Sequence, residues 1–287
     1  MGIMSGPGVG KSVLLGMLGR SADADVVVVG LVGERGREVR EFVERDLGQG
    51  LRRSVVVVAT GDEPPLVRVR AAMAATAVAE YFRDHGKRVL LLLDSRTRVA
   101  MAQREIGLAA GEPPTARGYP PSVFALLPRL VERAGNVEGV GSITAMYTAL
   151  AEGDDLTDPV VDAARACLDG HIVLARKLAQ RGHFPAVDLL GSVSRVMTDI
   201  VSAPHRELAQ EAREVLGAYR ESADLIEVGA YVAGTNARVD RALRCINEVN
   251  NILRQGPDER FTLEQTLSEL RRALEGPTAV PAKAGAP

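Results

Sequence analysis

The sequence predicts an α/β fold in which a domain with a mostly parallel central sheet is followed by a small C-terminal helical domain. Short Val- or Leu-rich runs alternate with helix-forming stretches over most of the chain, which is the pattern of strands connected by helices. The runs are apolar on both faces, as parallel strands covered by helices on each side require. After about Thr198 the strand signal stops and helical spacing remains.

The first domain is predicted to span residues 1–200. After a short apolar strand at the N-terminus, further strands are expected at residues 25–33, 54–60, 88–94, 141–150 and 171–175. Helices are expected between them at residues 11–18, 38–46, 67–85 and 121–134. The helical domain, residues 201–275, carries helical spacing at residues 205–222, 240–255 and 262–275. Residues 276–287 are rich in Gly, Pro and Ala, so a flexible tail is expected there.

Composition and charge are those of an ordinary globular protein. Hydrophobic residues make up 46% of the chain, charged residues 25%, and the formal net charge is -2, which favours neither nucleic acid nor an anionic membrane as a partner. Cys167 and Cys245 are far apart and fit a reducing cytoplasm better than a disulfide framework. We expect no membrane-spanning helix, no export signal and no metal site among the scattered histidines.

A Gly-rich loop lies between the N-terminal strand and the first predicted helix. Glycines let the backbone wrap a polyphosphate so that amide groups and the helix N-terminus point at it. Lys11 then reaches the β- and γ-phosphates, and Ser12 can ligate Mg2+. Ser5 replaces the first glycine of the strict pattern, while the remainder is intact. The residues predicted to bind ATP in this segment are Gly6, Gly8, Val9, Gly10, Lys11, Ser12 and Val13.

Two acidic residues at predicted strand ends would complete a site for ATP hydrolysis. Asp94 ends an apolar strand, which puts its carboxylate at the sheet edge beside the Mg2+ shell. Glu34 follows another strand, on the rim where ligands bind in such sheets, and a carboxylate there can orient the attacking water. Taken alone, each residue also fits a structural role, Asp94 as an ordinary strand end and Glu34 in a solvated charged turn.

Longer motifs resemble the flagellar and type III secretion export ATPases. The stretch at residues 33–42 reads GERGREVREF and is similar to the same stretch of that family. Similar blocks follow in order: DSRTR at 94–98, AMAQREIG at 100–107, GEPP at 111–114, GYPPSVF at 118–124, GSITA at 141–145, EGDD at 152–155, DGHIVL at 169–174 and SVSR at 192–195. Together they cover the chain from Met1 to about Arg195, whereas the C-terminal helices match only loosely.

The resemblance implies a RecA-like P-loop NTPase core, related to the catalytic subunits of the rotary ATP synthases. It also implies a homohexamer with ATP at the subunit interfaces. Carried over by motif, Lys11 and Ser12 hold phosphate and Mg2+, and Asp94 serves the metal shell. Glu34 orients the water, and Arg35 supports it.

Two further residues take a role from the resemblance. Arg195 looks like the arginine finger that the family inserts into a neighbouring subunit's site, where such a cation is worth ~10³–10⁵ in rate. An ordinary surface arginine is the alternative. Phe184 lies where relatives often carry a Tyr beside adenine, so it is predicted either to stack on the base or to pack in the core. Arg96 and Val99 depart from the family pattern, which usually has an apolar and an aromatic residue there.

The family has an N-terminal β-barrel domain and further sheet before the P-loop strand, whereas this sequence begins at that strand. We therefore expect an N-terminally truncated form. Because the barrel helps form the ring and a trans-acting Arg195 requires a ring, we expect ATP turnover to be slow or to need a high protein concentration.

The function that the resemblance implies is ATP hydrolysis that energises protein export by a flagellar or type III secretion apparatus, with unfolding of substrates and release of chaperones. The expected partners are export chaperones and substrates, stalk or regulator proteins and a membrane export gate, and the expected location is the cytoplasmic face of the membrane. A non-catalytic nucleotide-binding subunit is the alternative, which Glu34 disfavours. A hexameric nucleic-acid motor is disfavoured by the neutral charge. Flagellar and virulence-type secretion are not separated, although residues 1–17 look more like the flagellar branch.

Overall fold

The computed structural model describes residues 1–150 and 158–276. The chain divides into two compact units, residues 1–194 and residues 195–287. The EGDD block at residues 152–155 lies outside the described residues, as does the predicted tail beyond Gly276. The domain boundary predicted at residue 200 stays a prediction.

The first unit is built on a mostly parallel sheet, which confirms the predicted fold class. Its strands are β1 (Gly2–Ser5), β2 (Val26–Val32), β3 (Ser54–Ala59), β4 (Arg88–Asp94), β5 (Gly135–Asn136), β6 (Ser142–Leu150), β7 (Gly170–Leu174) and β8 (Val187–Ser194). The order across the sheet is β3-β2-β4-β6-β1-β7-β8, and β5 pairs with β6. Only the β7–β8 and β5–β6 pairs are antiparallel among the described strands. Because β1, β2 and β4 are parallel, their carboxyl ends meet at one edge.

Helices cover both faces of this sheet. They are α1 (Lys11–Ser21), α2 (Gly36–Glu41), α3 (Pro65–Asp84), α4 (Arg96–Ala109), α5 (Pro121–Val131), α6 (Pro159–Ala166) and α7 (Arg176–Gln180). Successive strand residues enter opposite cores: Val28 packs in the core that contains alanines of α3, and Val29 in the core that contains Leu15 of α1. A strand must be apolar at every position to fill both cores, which is why the Val and Leu runs predicted strands correctly.

The helix predicted at residues 38–46 is less regular than expected. Regular α-helix ends at Glu41, and the chain continues as a π-helical turn, Phe42–Leu47, and a 3-10 segment, Gly48–Arg53. Phe42 and Leu47 are five residues apart and are buried in the same core. The wider π-helical turn brings residues at this spacing to one face, which an α-helix would not do.

Two sizeable elements were absent from the sequence-based expectations. Helix α4 follows β4 almost directly, and Ser95 caps it by accepting a hydrogen bond from the amide of Arg98. Strand β8 contains Asp188 and Gly191, residue types that are rare in strands, and it forms through its antiparallel pairing with β7. Strand β8 therefore depends on its neighbour in the folded chain more than on local propensity, whereas α4 begins at a local cap.

The second unit is helical over its described residues, as predicted. Its helices are α8 (Met197–Ile200), α9 (Ala203–Glu227), α10 (Ala237–Leu253) and α11 (Leu263–Glu275). The last three share an apolar core that includes Val215, Val249 and Leu274. Thr262 begins α11 with a reciprocal capping box to Gln265. Neither of the two described segments of the chain contains a helix long and apolar enough to cross a membrane.

Candidate active site

The loop between β1 and α1 has the backbone of an anion cradle. Gly8 and Gly10 have φ angles of 76° and 89°, a region that favours glycine. A β-carbon on Gly8 would meet no atom within 4 Å, so the loop is open on that side. Gly10 begins α1 without a side-chain cap, and the first turn of α1 holds no acidic residue. The first amide groups of α1 and its positive dipole end are therefore offered to a ligand.

This loop forms one wall of a cavity of about 420 Å³ at the carboxyl edge of the sheet. The second wall comes from the turn after β2 and from α2 and its π-helical extension. The lining residues on the loop side are Gly6, Pro7, Gly8, Gly10, Lys11, Ser12 and Val13. Those on the other side are Gly33, Glu34, Arg35, Glu38, Glu41, Arg45, Asp46, Arg98 and Leu150. The structure thus brings the predicted phosphate-loop residues and Glu34 into one site, although Val9 is buried in the core.

The ammonium of Lys11 lies between two carboxylates. It donates to Asp94 Oδ1 at 2.5 Å and lies 3.6 Å from Glu34 Oε1. Asp94 is 3% exposed, and its Oδ1 also accepts a hydrogen bond from Thr148 Oγ1 at 2.7 Å. Asp94, Lys11 and Glu34, which the sequence predicts as metal-shell acid, phosphate-binding lysine and base, therefore form one contiguous cluster.

The oxygen donors of this cluster fit Mg2+. Ser12 lines the cavity with an exposed hydroxyl, and Asp94 offers a carboxylate directly behind Lys11. Mg2+ is commonly held by one or two protein oxygens together with substrate phosphates and water. Ser12 and Asp94 supply that number of protein ligands.

Glu34 is held in an environment that opposes its charge. Burial is the main cause that raises the pKa of its carboxyl, and the nearby Asp94 anion and a hydrogen bond with Glu38 act in the same direction. The cations Lys11 and Arg98 oppose the shift. Glu34 Oε1 is buried and has no hydrogen-bond partner within residues 1–150 and 158–276. A carboxylate with a raised pKa and an oxygen that accepts no hydrogen bond is suited to bind and polarise a water.

The remaining predicted site residues lie around this cluster or outside it. The side chain of Arg35 is 73% exposed at the cavity rim, and its Nη1 lies 3.6 Å from Glu38 Oε1. A β-carbon on Gly10 would lie 3.6 Å from two ring atoms of Phe184, so this aromatic ring, 46% exposed, lies beside the phosphate loop. Arg195 is exposed and begins the second unit directly after β8.

Several residues of the site were not predicted from the sequence: Thr148, Arg98 and the lining residues Glu38, Glu41, Arg45, Asp46 and Leu150. Thr148 is placed beside Asp94 by the parallel pairing of β4 with β6, in which Leu93 lies opposite Tyr147. Only the strand register would have indicated it. Arg98 was noted as part of the DSRTR block but was given no role. Its place in the first turn of α4, directly after the strand that ends at Asp94, is the signal that would have placed it near the site.

The parallel sheet, the glycine loop before α1 and the Lys11–Asp94–Glu34 cluster define a P-loop nucleotide-binding domain of the RecA-like class. Residues 1–194 match the family model of the "ATP synthase alpha/beta family, nucleotide-binding domain". Residues 201–272 match a second family model, the "T3SS EscN ATPase C-terminal domain". The chain belongs to the ATP synthase alpha/beta family, within its flagellar and type III secretion branch, which confirms the resemblance seen in the sequence.

Individual relatives agree with this assignment. The chain is 57% identical to the flagellum-specific ATP synthase of Pseudomonas aeruginosa, in an alignment covering 96% of this chain and 62% of the relative. It is 56% identical to the type 3 secretion system ATPase of Sinorhizobium fredii, covering 95% and 60%. The structure of the assembled ATPase EscN with its central stalk EscO, from enteropathogenic E. coli, matches with a TM-score of 0.89 and 45% identity, covering 96% of this chain and 66% of EscN. The chain thus spans about 60% of the length of these curated relatives.

Proposed function

We propose that this chain binds ATP with Mg2+ in the phosphate-loop cavity and hydrolyses it to ADP and phosphate. The observation that carries the proposal is the position of Lys11, whose ammonium lies between Asp94 and Glu34 at the wall of that cavity. Membership of a nucleotide-binding family supports ATP as the ligand. The open amide groups of α1 supply the phosphate-binding surface.

The residues divide the chemistry between them. When ATP binds, the ammonium of Lys11 moves from the two acids to the β- and γ-phosphates. Ser12 and Asp94 would hold Mg2+, which would neutralise charge on the phosphates. Glu34 accepts a hydrogen bond from the attacking water through Oε1, which accepts no hydrogen bond from the described residues, and aligns the water with the γ-phosphorus. Arg35, exposed beside Glu34, supports that carboxylate from the rim.

Two further roles involve residues beyond this cluster. Phe184 stacks on adenine, a role supported by its half-exposed ring beside Gly10. Arg195 acts as an arginine finger in the site of a neighbouring copy, which requires a homohexameric ring. The assembled state of the relative EscN supports such a ring.

The physiological role we infer is to energise protein export by a flagellar or type III secretion apparatus. The names of the relatives and the match of the C-terminal unit to the EscN C-terminal domain support it. The partners would be export substrates and their chaperones, a stalk protein such as the one bound by EscN, and a membrane export gate. The protein would work in the cytoplasm, at the inner face of the cytoplasmic membrane.

The test is the ATPase rate per subunit as a function of protein concentration. We expect the specific rate to rise as subunits associate, because a shared site needs a neighbour's arginine, and both Lys11→Ala and Arg195→Ala to reduce it by at least ~10³-fold. Arg238→Ala, which removes another exposed arginine of the second unit, is the control and should leave the rate unchanged. ATP binding without turnover at any concentration would indicate a non-catalytic nucleotide-binding subunit instead.

A further inference from the structure

We propose that Arg68, in the first turn of α3, is a positioning residue that holds the turn carrying Glu34 in place through the loop between β3 and α3, residues 60–64. The inference rests on the proposed function, because Glu34 is the group assigned there to orient the attacking water. Arg68 does not itself line the nucleotide cavity, so its effect on catalysis has to pass through this loop.

The turn that carries Glu34 is bound to the end of β3 and to the loop after it by backbone hydrogen bonds. The amide of Gly33 donates to the carbonyl of Ala59 at 2.7 Å. The amide of Gly61 donates to the carbonyl of Glu34 itself at 3.0 Å. The two segments also lie in close contact, because a β-carbon on Gly61 would come within 3.1 Å of the Gly33 carbonyl oxygen. A displacement of residue 61 would therefore move the peptide group of Glu34.

The loop is in turn held by Arg68. The amide of Glu63 donates to the carbonyl of Thr60 at 3.2 Å, which closes residues 60–63 into a turn. The Nε of Arg68 donates to the carbonyl of Glu63 at 3.1 Å. Hydrogen bonds and adjacent peptide groups thus connect the guanidinium of Arg68 to the backbone of Glu34.

The other end of the guanidinium is fixed by α4. The Nη2 of Arg68 donates to both carboxylate oxygens of Glu105, at 2.9 and 3.0 Å. Arg68 is 9% exposed, and a buried guanidinium is costly unless its donors are paired. The side chain is therefore confined to one position, from which it can hold the loop.

A tie between α3 and α4 is the other role that these contacts allow, and two features favour the positioning role. A tie needs only the bonds to Glu105, whereas the Nε of Arg68 is committed to a loop carbonyl. A cation in the first turn of a helix also opposes the helix dipole, and the first turn of α3 has no acidic residue to offset it. Contacts outside the helix therefore account for an arginine at this place.

The test replaces Arg68 with Met, which removes the three hydrogen bonds and keeps the apolar stem. Arg68→Lys is the second variant: it keeps the charge beside Glu105 and more of the stability, but one ammonium does not reproduce all three bonds. Arg133→Met is the matched control. Arg133 also forms two bonds to one carboxylate of α3, that of Glu80, but at the opposite end of that helix.

Three quantities are measured on each variant. Amide hydrogen exchange at residue 61, relative to that of β4, is recorded on the nucleotide-free protein. The kcat at saturating ATP and the Kd of ATP are determined separately, so that catalysis and binding are not confused. Chemical unfolding gives the loss of stability, which both Met variants should share.

We expect Arg68→Met to speed exchange at residue 61 by at least about tenfold and to lower kcat by roughly tenfold, with less than about a twofold change in Kd. Arg68→Lys should change exchange and kcat in the same direction while it stays closer to the original stability. Arg133→Met should lower stability and leave both exchange at residue 61 and kcat unchanged.

Unchanged exchange at residue 61 in a folded Arg68 variant would overturn the inference. Equal losses of kcat in Arg68→Met and Arg133→Met would also overturn it, and would leave Arg68 as a tie between helices. ATP binding without turnover in the unsubstituted chain would instead count against the proposed function, and the exchange measurement, which needs no turnover, would still decide whether Arg68 holds the Glu34 turn.

Discussion

Asp94 is held by two donors that come from different parts of the chain, the ammonium of Lys11 and the hydroxyl of Thr148. One donor would leave the carboxylate free to rotate about its last bond, whereas two fix the direction of its oxygens. Thr148 is fully buried, so its hydroxyl is oriented by its partners and not by water. The orientation of the Asp94 carboxylate is therefore set by hydrogen bonds from two other side chains.

We predict that Thr148→Val lowers kcat by roughly tenfold and stability by about 1 kcal/mol, because the shape is kept while one donor to Asp94 is lost. Steady-state kinetics and chemical unfolding measure the two effects. Thr76→Val is the control: it also removes a fully buried hydroxyl, one that donates to the backbone within α3, and it should change stability without changing kcat. Equal losses of kcat in both variants would contradict a specific role for Thr148.

The pKa of Glu34 leads to a second prediction at this scale. Its carboxyl pKa is raised in the folded chain, chiefly by burial, above the ordinary value of 4.5. The folded state therefore binds the proton more tightly than the unfolded state, and ionised Glu34 costs stability at neutral pH. We expect Glu34→Gln to raise the melting temperature at pH 7 while it abolishes ATP hydrolysis. The gain should shrink as the pH falls through the raised pKa of Glu34 and should be lost by about its ordinary value of 4.5.

Glu80 is the control, because its pKa is shifted in the opposite direction to that of Glu34. The guanidinium of Arg133 lowers the pKa of Glu80, so ionised Glu80 contributes stability above its ordinary pKa of 4.5 and loses it as the pH falls. Glu80→Gln should therefore lower the melting temperature at pH 7. Thermal unfolding of both variants at pH 4 and pH 7 distinguishes the two cases, and a lower melting temperature for Glu34→Gln at pH 7 would show that its contact with Lys11 outweighs burial.

At the scale of elements, the helix that carries the phosphate loop is anchored at its far end by one side chain. The guanidinium of Arg53, at the end of the 3-10 segment, donates to the carbonyls of Gly19, Arg20, Ala22 and Ala24 at 2.9–3.1 Å. These carbonyls belong to the last turn of α1 and the residues after it, where acceptors lack partners within the helix. The anchor also attaches the segment that follows the π-helical turn to the C-terminus of α1.

We predict that Arg53→Met lowers the free energy of unfolding by about 2–3 kcal/mol, because it leaves carbonyl groups unpaired while keeping the apolar stem. Hydrogen exchange should increase at residues 18–24, whose amides and carbonyls lie in that region. Arg52→Met removes the adjacent, exposed arginine and should change the free energy of unfolding by less than about 0.5 kcal/mol. Similar losses in both variants would mean that the four hydrogen bonds do not anchor the helix.

At the scale of the whole molecule, the residues that line the nucleotide cavity all belong to the first unit, residues 1–194. Phe184 belongs to it as well, whereas Arg195 is the first residue of the second unit. Under the proposed function, nucleotide binding and the trans-acting cation therefore belong to different units of the chain.

We expect a fragment of residues 1–194 to bind ATP with a Kd within about threefold of the whole chain, since the binding groups and the core beneath them are retained. It should not hydrolyse ATP at any concentration, because Arg195 is absent. Calorimetric titration with ATP and Mg2+ measures the affinity, and circular dichroism checks that the fragment is folded. A folded fragment that does not bind ATP would show that the second unit contributes to the site.

The sequence alone predicted the fold class, which the structure confirms, and most strands of the sheet. It also predicted Lys11 and Ser12 as site residues from the glycine loop, and Glu34 and Asp94 from their strand ends together with the family resemblance. These features are local. Strands covered on both faces must be apolar at every position, and a loop that wraps phosphate must carry glycines before its lysine. Each requirement is met by a few consecutive residues, so it can be recognised without knowing which other segments pack against them.

Only the tertiary structure decided the rest. The π-helical turn follows from burying Phe42 and Leu47 in one core, β8 from pairing with β7, and the place of Thr148 from the register of β4 and β6. The raised pKa of Glu34 likewise results from burial among charges on α1, α2, β4 and α4. Packing, register and electrostatic fields arise between segments distant in the chain, so no local pattern of residue types carries them.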